Sequence, residues 1–143
     1  MKGAVRLYYR VDGEEKSAFF YTENKFVSSF ESFSKQIPST QNFHCMEDCT
    51  LVEITAEAAF KLRQSNPKFS ALAVMMMEEE MVIYQDIISY FVCLNAEQRY
   101  LKLLEANDVL FQRFPQHQIA SFLGIKPETL SRIRKKLTLH KLN

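Results

Sequence analysis

The most regular hydrophobic pattern of the chain lies in residues 116–137, where apolar positions recur every three or four residues. This spacing predicts two short helices, each with one buried stripe: Ile119, Phe122 and Leu123 in the first, and Leu130, Ile133 and Leu137 in the second. Between them, Gly124 suits the left-handed end of a helix, and Pro127 suits the first position of the next. Since the small Ala120 allows a close approach, the pattern predicts a helix-turn-helix, with an ordinary αα-hairpin as the alternative.

Strand patterns fill the first third of the chain. Residues 4–11 and 16–22 are rich in β-branched and aromatic types, and they flank the turn signal Asp12-Gly13, which predicts a β-hairpin. Two further strands are predicted at residues 42–45 and 50–54, after a polar stretch that Pro38 interrupts. Strands at this spacing predict an antiparallel roll or sandwich.

Helical periodicity begins at residue 56 and continues to residue 106. Residues 56–65 predict a short helix, residues 68–93 a long one, and residues 96–106 a third with Asn95 as its N-cap. Apolar residues nearly encircle the long helix, so we expect it to pack on the β-roll and on the same helix of a second chain. One stripe is predicted to form this dimer interface: Leu72, Met76, Ile83, Ile87 and Tyr90. An internal core helix is the alternative, and Glu78 to Glu80 are expected to be solvated.

Composition places the chain among globular proteins, with 143 residues of which 47% are hydrophobic. No run of about eighteen apolar residues and no signal-peptide core are present, which predicts a cytoplasmic protein without a membrane partner. Cys45 and Cys49, beside His44, suggest either half of a metal or redox site or, as we prefer, small buried residues on strands. No cofactor is predicted. Neither paired carboxylates nor a nucleophile with its base stands out, so we expect no enzymatic activity.

Charge is distributed unevenly along the chain. Residues 115–143 contain six Lys/Arg residues and one acidic residue, Glu128, whereas the whole chain has a net charge of only +1. A basic terminus on an otherwise acidic chain is typical of a protein that meets phosphate at one end. The helix-turn-helix is therefore predicted to bind double-stranded DNA.

Taken together, these elements resemble the Crp/Fnr family of bacterial transcription regulators. The segments LNAEQRYLKLLEAN and HQIASFLGIKPETLSRIRKKL are similar to the family's DNA-binding domain, and KGAVRLYYRVDGEEKSAFFYTENKFVSSF is similar to the middle of its cyclic-nucleotide-type β-roll. The resemblance implies an α+β protein in three parts: a partial antiparallel β-roll that is cyclic-nucleotide-binding-like (1–66), a long dimerisation helix (67–94) and a winged-helix-like helix-turn-helix domain (95–143). The start of the family's roll would precede Met1, and the wing is reduced to residues 138–143.

The resemblance also implies roles for residues on the DNA side. Glu128 and Arg132 match base-reading positions, where a carboxylate accepts from cytosine and a guanidinium grips guanine. Six further residues match phosphate contacts: Gln116, His117, Lys126, Thr129, Lys135 and Lys136. Pro127 replaces a base-reading arginine of the best-known members, so the preferred DNA sequence should differ. A solvated helix face is the alternative for each of these side chains.

The implied function is a homodimeric transcription regulator that reads a palindromic site through residues 127–137, with RNA polymerase as a further partner. Its effector is unknown and is not expected to be cAMP. Where cyclic-nucleotide-binding members have a Gly-Glu pair and an arginine, this chain has Ser28-Ser29 and Pro38-Ser39, so the phosphate loses its guanidinium partner. The alternative is an effector-binding or scaffolding module whose helical C-terminus contacts protein rather than DNA.

Overall fold

The computed structural model of the chain describes residues 2–140, and within this range it combines a small antiparallel sheet with seven helices. The strands are β1 (Val5–Val11), β2 (Glu14–Tyr21) and β3 (Asn42–Cys45). The helices are α1 (Phe30–Lys35), α2 (Ala56–Ser65), α3 (Pro67–Cys93), α4 (Ala96–Ala106), α5 (Leu110–Arg113), α6 (Gln116–Phe122) and α7 (Pro127–His140). The predicted mixture of helices and a small antiparallel sheet is therefore confirmed.

The sheet is built around the first hairpin. β1 is central, with β2 and β3 antiparallel on either side. Asp12 and Gly13 both have positive φ values, 52° and 81°, which is the backbone of the tight turns that suit the twist of two paired strands. The hairpin prediction is confirmed, including its turn residues.

The predicted strand at residues 50–54 is wrong. Thr50 alone pairs, through two 2.9 Å hydrogen bonds with Lys2, and the chain then leaves the sheet, so that Val52 is 94% exposed. The β-branched residues of this segment favour a strand, but a strand also needs a partner for its backbone groups. Residues 30–35 form the helix α1, which the sequence pattern does not predict. Six residues are too few to show a helical periodicity.

Capping residues set the limits of the helices in the second half. Asn66 accepts hydrogen bonds from the backbone N–H groups of Lys68 and Phe69, which starts α3 at Pro67, one residue before the predicted position. Asn95 and Gln98 form the reciprocal capping box of α4.

α7 continues through 138–140, where a reduced wing is predicted, because no helix-breaking residue follows Leu137. Residues 141–143 of that predicted wing lie outside the described range.

The main core joins the sheet to the C-terminal helices. The ring centroid of Phe20 on β2 lies 4.3 Å from the ring centroid of Phe114 and 5.3 Å from that of Phe122. The remaining buried members of this cluster are Ala4, Tyr100, Leu110, Ile119, Ala120, Leu123, Leu130 and Ile133. β2 and α6 pack directly on each other. The cluster therefore contains residues from both the predicted 1–66 part and the predicted 95–143 part.

Polar contacts reinforce this junction. The backbone N–H of Ser17 donates to Ser121 Oγ at 3.0 Å. The guanidinium of Arg113 bonds two carboxylates of the first half, with Nη1 2.7 Å from Glu23 Oε2 and Nη2 against Glu47. Hydrogen bonding to Arg113 is the largest cause that lowers the pKa of Glu23 to about 2. These contacts tie α6 to β2 and α5 to the segments that follow β2 and β3.

The long helix α3 is much less covered. Across its 27 residues, all of which the structure describes, Glu80 is the one buried residue. The expectation that Glu80 is solvated is therefore wrong, because the side of α3 that bears it faces the sheet. Burial raises the pKa of Glu80, and the nearby Lys25 partly offsets this effect.

Among the helices within the described range, none is long and apolar enough to cross a membrane.

The cysteines are not buried as expected. Cys45 is exposed and Cys49 is half-buried, because β3 is an edge strand and the loop after it lies at the surface. Cys93, the last residue of α3, is also exposed. Within the part of the chain that the structure describes, no three His, Cys, Asp or Glu side chains cluster in a way that could hold a metal ion.

Candidate nucleic-acid interface

The turn between α6 and α7 is closed by glycine. Gly124 has a φ of 67°, its N–H donates to Ser121 O at 3.1 Å, and the N–H of Ile125 donates to Ala120 O at 3.0 Å. This pair of bonds is the Schellman motif, which satisfies carbonyls left open at a helix end. Ala120 is fully buried, as expected for a close approach of two helices.

One face of α7 is buried and thereby orients the other. Leu130 and Ile133 belong to the core, and Leu137 packs at its margin. Pro127 occupies the first turn, where its missing N–H costs nothing. Because residues three and four apart share a face of a helix, this buried stripe directs the intervening polar residues outward.

The outward face of α7 carries both predicted base-reading residues. Glu128, Arg132 and Lys135 are exposed, at the i, i+4 and i+7 positions of one helix face. The half-buried Thr129 lies one turn before Arg132, and its Oγ1 accepts a hydrogen bond from Arg132 Nη2 at 3.3 Å. This contact orients a guanidinium whose fork matches two acceptors on a guanine edge.

The predicted phosphate contacts differ in how free their side chains are. Gln116, His117 and Lys126 are exposed, the first two in the first turn of α6 and the third just before α7. Lys136 Nζ lies 2.8 Å from a carboxylate oxygen of Glu97 on α4. Lys136 therefore links α7 to α4, and a phosphate would compete with Glu97 for this ammonium group.

The predicted dimer stripe of α3 faces mostly inward. Ile83, Ile87 and Tyr90 line a cavity together with residues of the chain's own strand β2. Met76 is half-buried, and Leu72 is 50% exposed. Three of the five residues assigned to a second chain thus already face their own chain.

The predicted dimer stripe leaves out the outer face of α3. Val74, Met81 and Ile88 are all more than half exposed and follow each other at intervals of seven residues. Two apolar positions in every seven are the signal of a helix that pairs with another helix, and Met77, Tyr84 and Phe91 supply the second position. The signal was present in the sequence, but the apolar residues on the other faces obscured it.

Three of the four residues at the predicted nucleotide-gripping positions border an open depression of about 440 Å³. Ser28, Ser29 and Ser39 lie on its wall, and among the described residues that line it none carries a charge. The nearby Lys35 is paired with Glu31, at 2.8 Å between Nζ and Oε1. The absence of cAMP binding stays a prediction, and this uncharged wall agrees with it.

The sequence matches no protein-family model and no curated protein. The resemblance to the Crp/Fnr family therefore stays a prediction.

Proposed function

We propose that this protein is a homodimeric transcription regulator that binds double-stranded DNA through α7. The observation that carries the proposal is the exposed polar face of α7, held outward by the buried Leu130 and Ile133. A helix that projects from a glycine turn and presents an exposed guanidinium suits the major groove, which admits one α-helix. Arg132 and Glu128 supply the base contacts, and the flanking cations supply contacts to phosphate.

The chemistry of this face favours DNA over a protein partner. A helix that docks into a protein groove presents apolar anchors at i, i+3 and i+4. On α7 those positions are turned into the core, and the exposed positions include Glu128, Ser131, Arg132 and Lys135. Such a polar, mostly cationic face suits a polyanion whose bases offer donors and acceptors.

The proposed dimer forms through the outer face of α3. Val74, Met81 and Ile88 lie on a heptad line, and Val92, 78% exposed, continues this face. Two copies of α3 related by a two-fold axis would bury these side chains against each other, which is the contact that a heptad pattern favours. A two-fold dimer places two α7 helices for the two halves of a palindromic site.

The DNA proposal is tested by selecting bound duplexes from a random pool and measuring affinity by fluorescence anisotropy. Arg132→Ala is expected to weaken binding to the selected site by about 1–3 kcal/mol, while leaving nonspecific binding nearly unchanged. Lys135→Ala should weaken both kinds of binding. The control Lys61→Ala, on α2, should change neither. If no duplex is enriched, or if Arg132→Ala binds the selected site as the parent does, the assigned face is wrong.

The dimer proposal is tested by sedimentation at micromolar concentration. The parent is expected to sediment as a dimer, and Met81→Glu and Ile88→Glu as monomers, because each places a charge in the apolar contact. Phe60→Glu, an equally drastic change at an exposed apolar residue of α2, is the matched control and should stay dimeric. A monomeric parent would remove the basis for the dimer.

A further inference from the structure

A cavity of about 340 Å³ lies where β2, α3, α4 and α6 meet. Its walls are mostly apolar and include Phe19, Ile87, Tyr90, Leu103 and Phe122. Sites for small ligands have volumes of roughly 300–1,000 Å³ and combine apolar walls with a few polar groups that orient the ligand. This cavity has that size and composition, and it is separate from the open depression beside α1.

Three cations and one acid border the same cavity. The cations are Lys25, Arg99 and Lys102, and the acid is Asp86. Arg99 is held rigidly, because its Nη1 donates to Leu94 O at 2.8 Å, its Nε donates to Leu123 O at 3.2 Å, and its guanidinium carbon lies 4.8 Å from the centre of the Phe91 ring. Lys102 Nζ lies 2.9 Å from Glu105. The border is therefore cationic on balance and favours an anionic group.

We propose that this cavity binds a small amphipathic carboxylate, with an aromatic or short aliphatic body among the apolar walls and its anionic group at Lys102 and Arg99. This ligand is the effector of the regulator. The effector role rests on the proposed DNA-binding function, whereas the binding of the carboxylate does not. A cationic amphiphile is disfavoured by the surplus of positive charge, and a neutral one leaves the cations without a new partner.

The wall of the cavity is in contact with the turn of the helix-turn-helix. Arg99 bonds the carbonyl of Leu123, the residue before Gly124. A Cβ added at Gly124 would lie 3.0 Å from Cε1 of Phe91, another residue of the cavity wall. A ligand that displaces Phe91 or Arg99 thus changes how the turn is held against α3 or α4. It can change DNA affinity to the extent that it binds the two arrangements differently.

Calorimetry on the full chain with matched probes tests the binding step. Phenylbutanoate and octanoate supply carboxylates, phenylbutanol supplies the same aromatic body without charge, and phenylbutylamine reverses the charge. A hydrogen bond to a charged group contributes about 1.5–3 kcal/mol, so phenylbutanoate should bind at least about tenfold more tightly than phenylbutanol. The amine should bind most weakly. Equal affinities for the carboxylate and the alcohol, or no saturable binding of either carboxylate, would overturn the proposal.

Two variants locate the ligand in this cavity. Lys102→Gln should weaken phenylbutanoate by about tenfold and leave phenylbutanol unchanged, because it removes only the charge. Lys61→Gln, which breaks a similar helix-surface ion pair with Glu57, is the control and should change neither. Ala106→Leu fills the cavity from an exposed position and should weaken both probes. If Lys102→Gln and Ala106→Leu bind phenylbutanoate as the parent does, the ligand lies elsewhere and the proposal falls.

Anisotropy with a selected duplex, with and without saturating phenylbutanoate, tests the effector role. A change in DNA affinity of about threefold or more that Ala106→Leu abolishes would support it. Binding of the carboxylate with unchanged DNA affinity would overturn the effector role. Absence of any DNA binding would overturn the proposed function, and the calorimetric result would then stand alone as evidence for the cavity.

Discussion

The long helix α3 is much richer in apolar residues than the α6–α7 pair, yet the pair is the region that buries them. In the pair, Ile119, Leu123 and Leu130 are buried by their partner helices and by the sheet. In α3, the residue that is buried is Glu80, while Met81 and Ile88 are more than 60% exposed. The region with fewer apolar residues thus forms a closed core, and the region with more of them presents an open apolar surface.

The difference shows what an all-round apolar helix can and cannot specify. A helix with a single apolar stripe has one face that can pack on the core, so α6 and α7 have one way to pack. An encircling pattern leaves several faces equally suited to the core, and the surrounding elements then decide which one is covered. Exposed apolar surface in excess is typical of a contact that the isolated chain does not complete.

Truncating matched isoleucines in the two regions should give the largest effect. Ile119→Ala removes a fully buried side chain and is expected to lower the free energy of unfolding by about 2–5 kcal/mol. Ile88→Ala removes one that is 64% exposed, so the expected loss in the monomer is within about 0.5 kcal/mol. Urea denaturation at low protein concentration measures both.

Measuring the same two variants at several protein concentrations tests whether α3 is a dimer contact. If α3 pairs with a second copy, the loss caused by Ile88→Ala should increase as the protein concentration rises, because association stabilises the folded parent by mass action. The loss caused by Ile119→Ala should show no comparable increase. A concentration-independent loss for Ile88→Ala would mean that the outer face of α3 is not a dimer contact.

Glycine substitutions probe the contact between the two regions. Gly124→Ala and Gly13→Ala both place a Cβ at a positive φ, which costs roughly 1–2 kcal/mol. At Gly13 the added atom meets nothing within 4 Å, whereas at Gly124 it lies 3.0 Å from Phe91 of α3. Gly124→Ala should therefore destabilise by about 1 kcal/mol more. Phe91→Ala in the Gly124→Ala background should recover this excess, and equal losses at both glycines would contradict the contact.

A pH-dependent contribution to stability should come from the ion pairs of Arg113. The pKa of Glu23 is about 2 instead of 4.5, so the unfolded chain binds this proton more readily. The stabilisation is fully present above about pH 4.5 and is lost as the pH falls toward 2. Urea midpoints across this window should fall less steeply in Glu23→Gln than in the parent.

Arg113→Gln is the partner substitution for the same experiment. It should remove the same part of the pH dependence, and the double variant should add little, because both changes remove one interaction. Arg113→Gln leaves Glu47 without its partner as well, so its loss at neutral pH should be the larger of the two. Unchanged steepness in Glu23→Gln would show that this ion pair does not persist in solution.

The smallest effect is expected at the exposed pair of Lys136 and Glu97. Breaking it should cost about 0.2–1 kcal/mol, measured by a double-variant cycle. Glu97→Gln also frees the ammonium of Lys136. If Lys136 binds phosphate, this variant should bind DNA more tightly, with a salt dependence steeper by about one phosphate contact. An unchanged slope would assign Lys136 to anchoring α7 alone.

The sequence by itself determined those elements whose signals are local. The turn at Asp12-Gly13, the cap at Asn95 and the close of α6 at Gly124 each depend on a few neighbouring residues, and their backbone chemistry has few solutions. The exposed position of Glu128 and Arg132 follows from the same cause, because the buried stripe of α7 fixes the opposite face.

Only the tertiary structure decided the contacts between distant segments. The segment at 50–54 has strand-forming residues, but the chain turns away from the sheet after Thr50, so only Thr50 pairs. The orientation of α3, the burial of Glu80 and the cavity beside Arg99 depend on how four elements meet. These arrangements are set by packing energies summed over many side chains, which no local pattern along the chain contains.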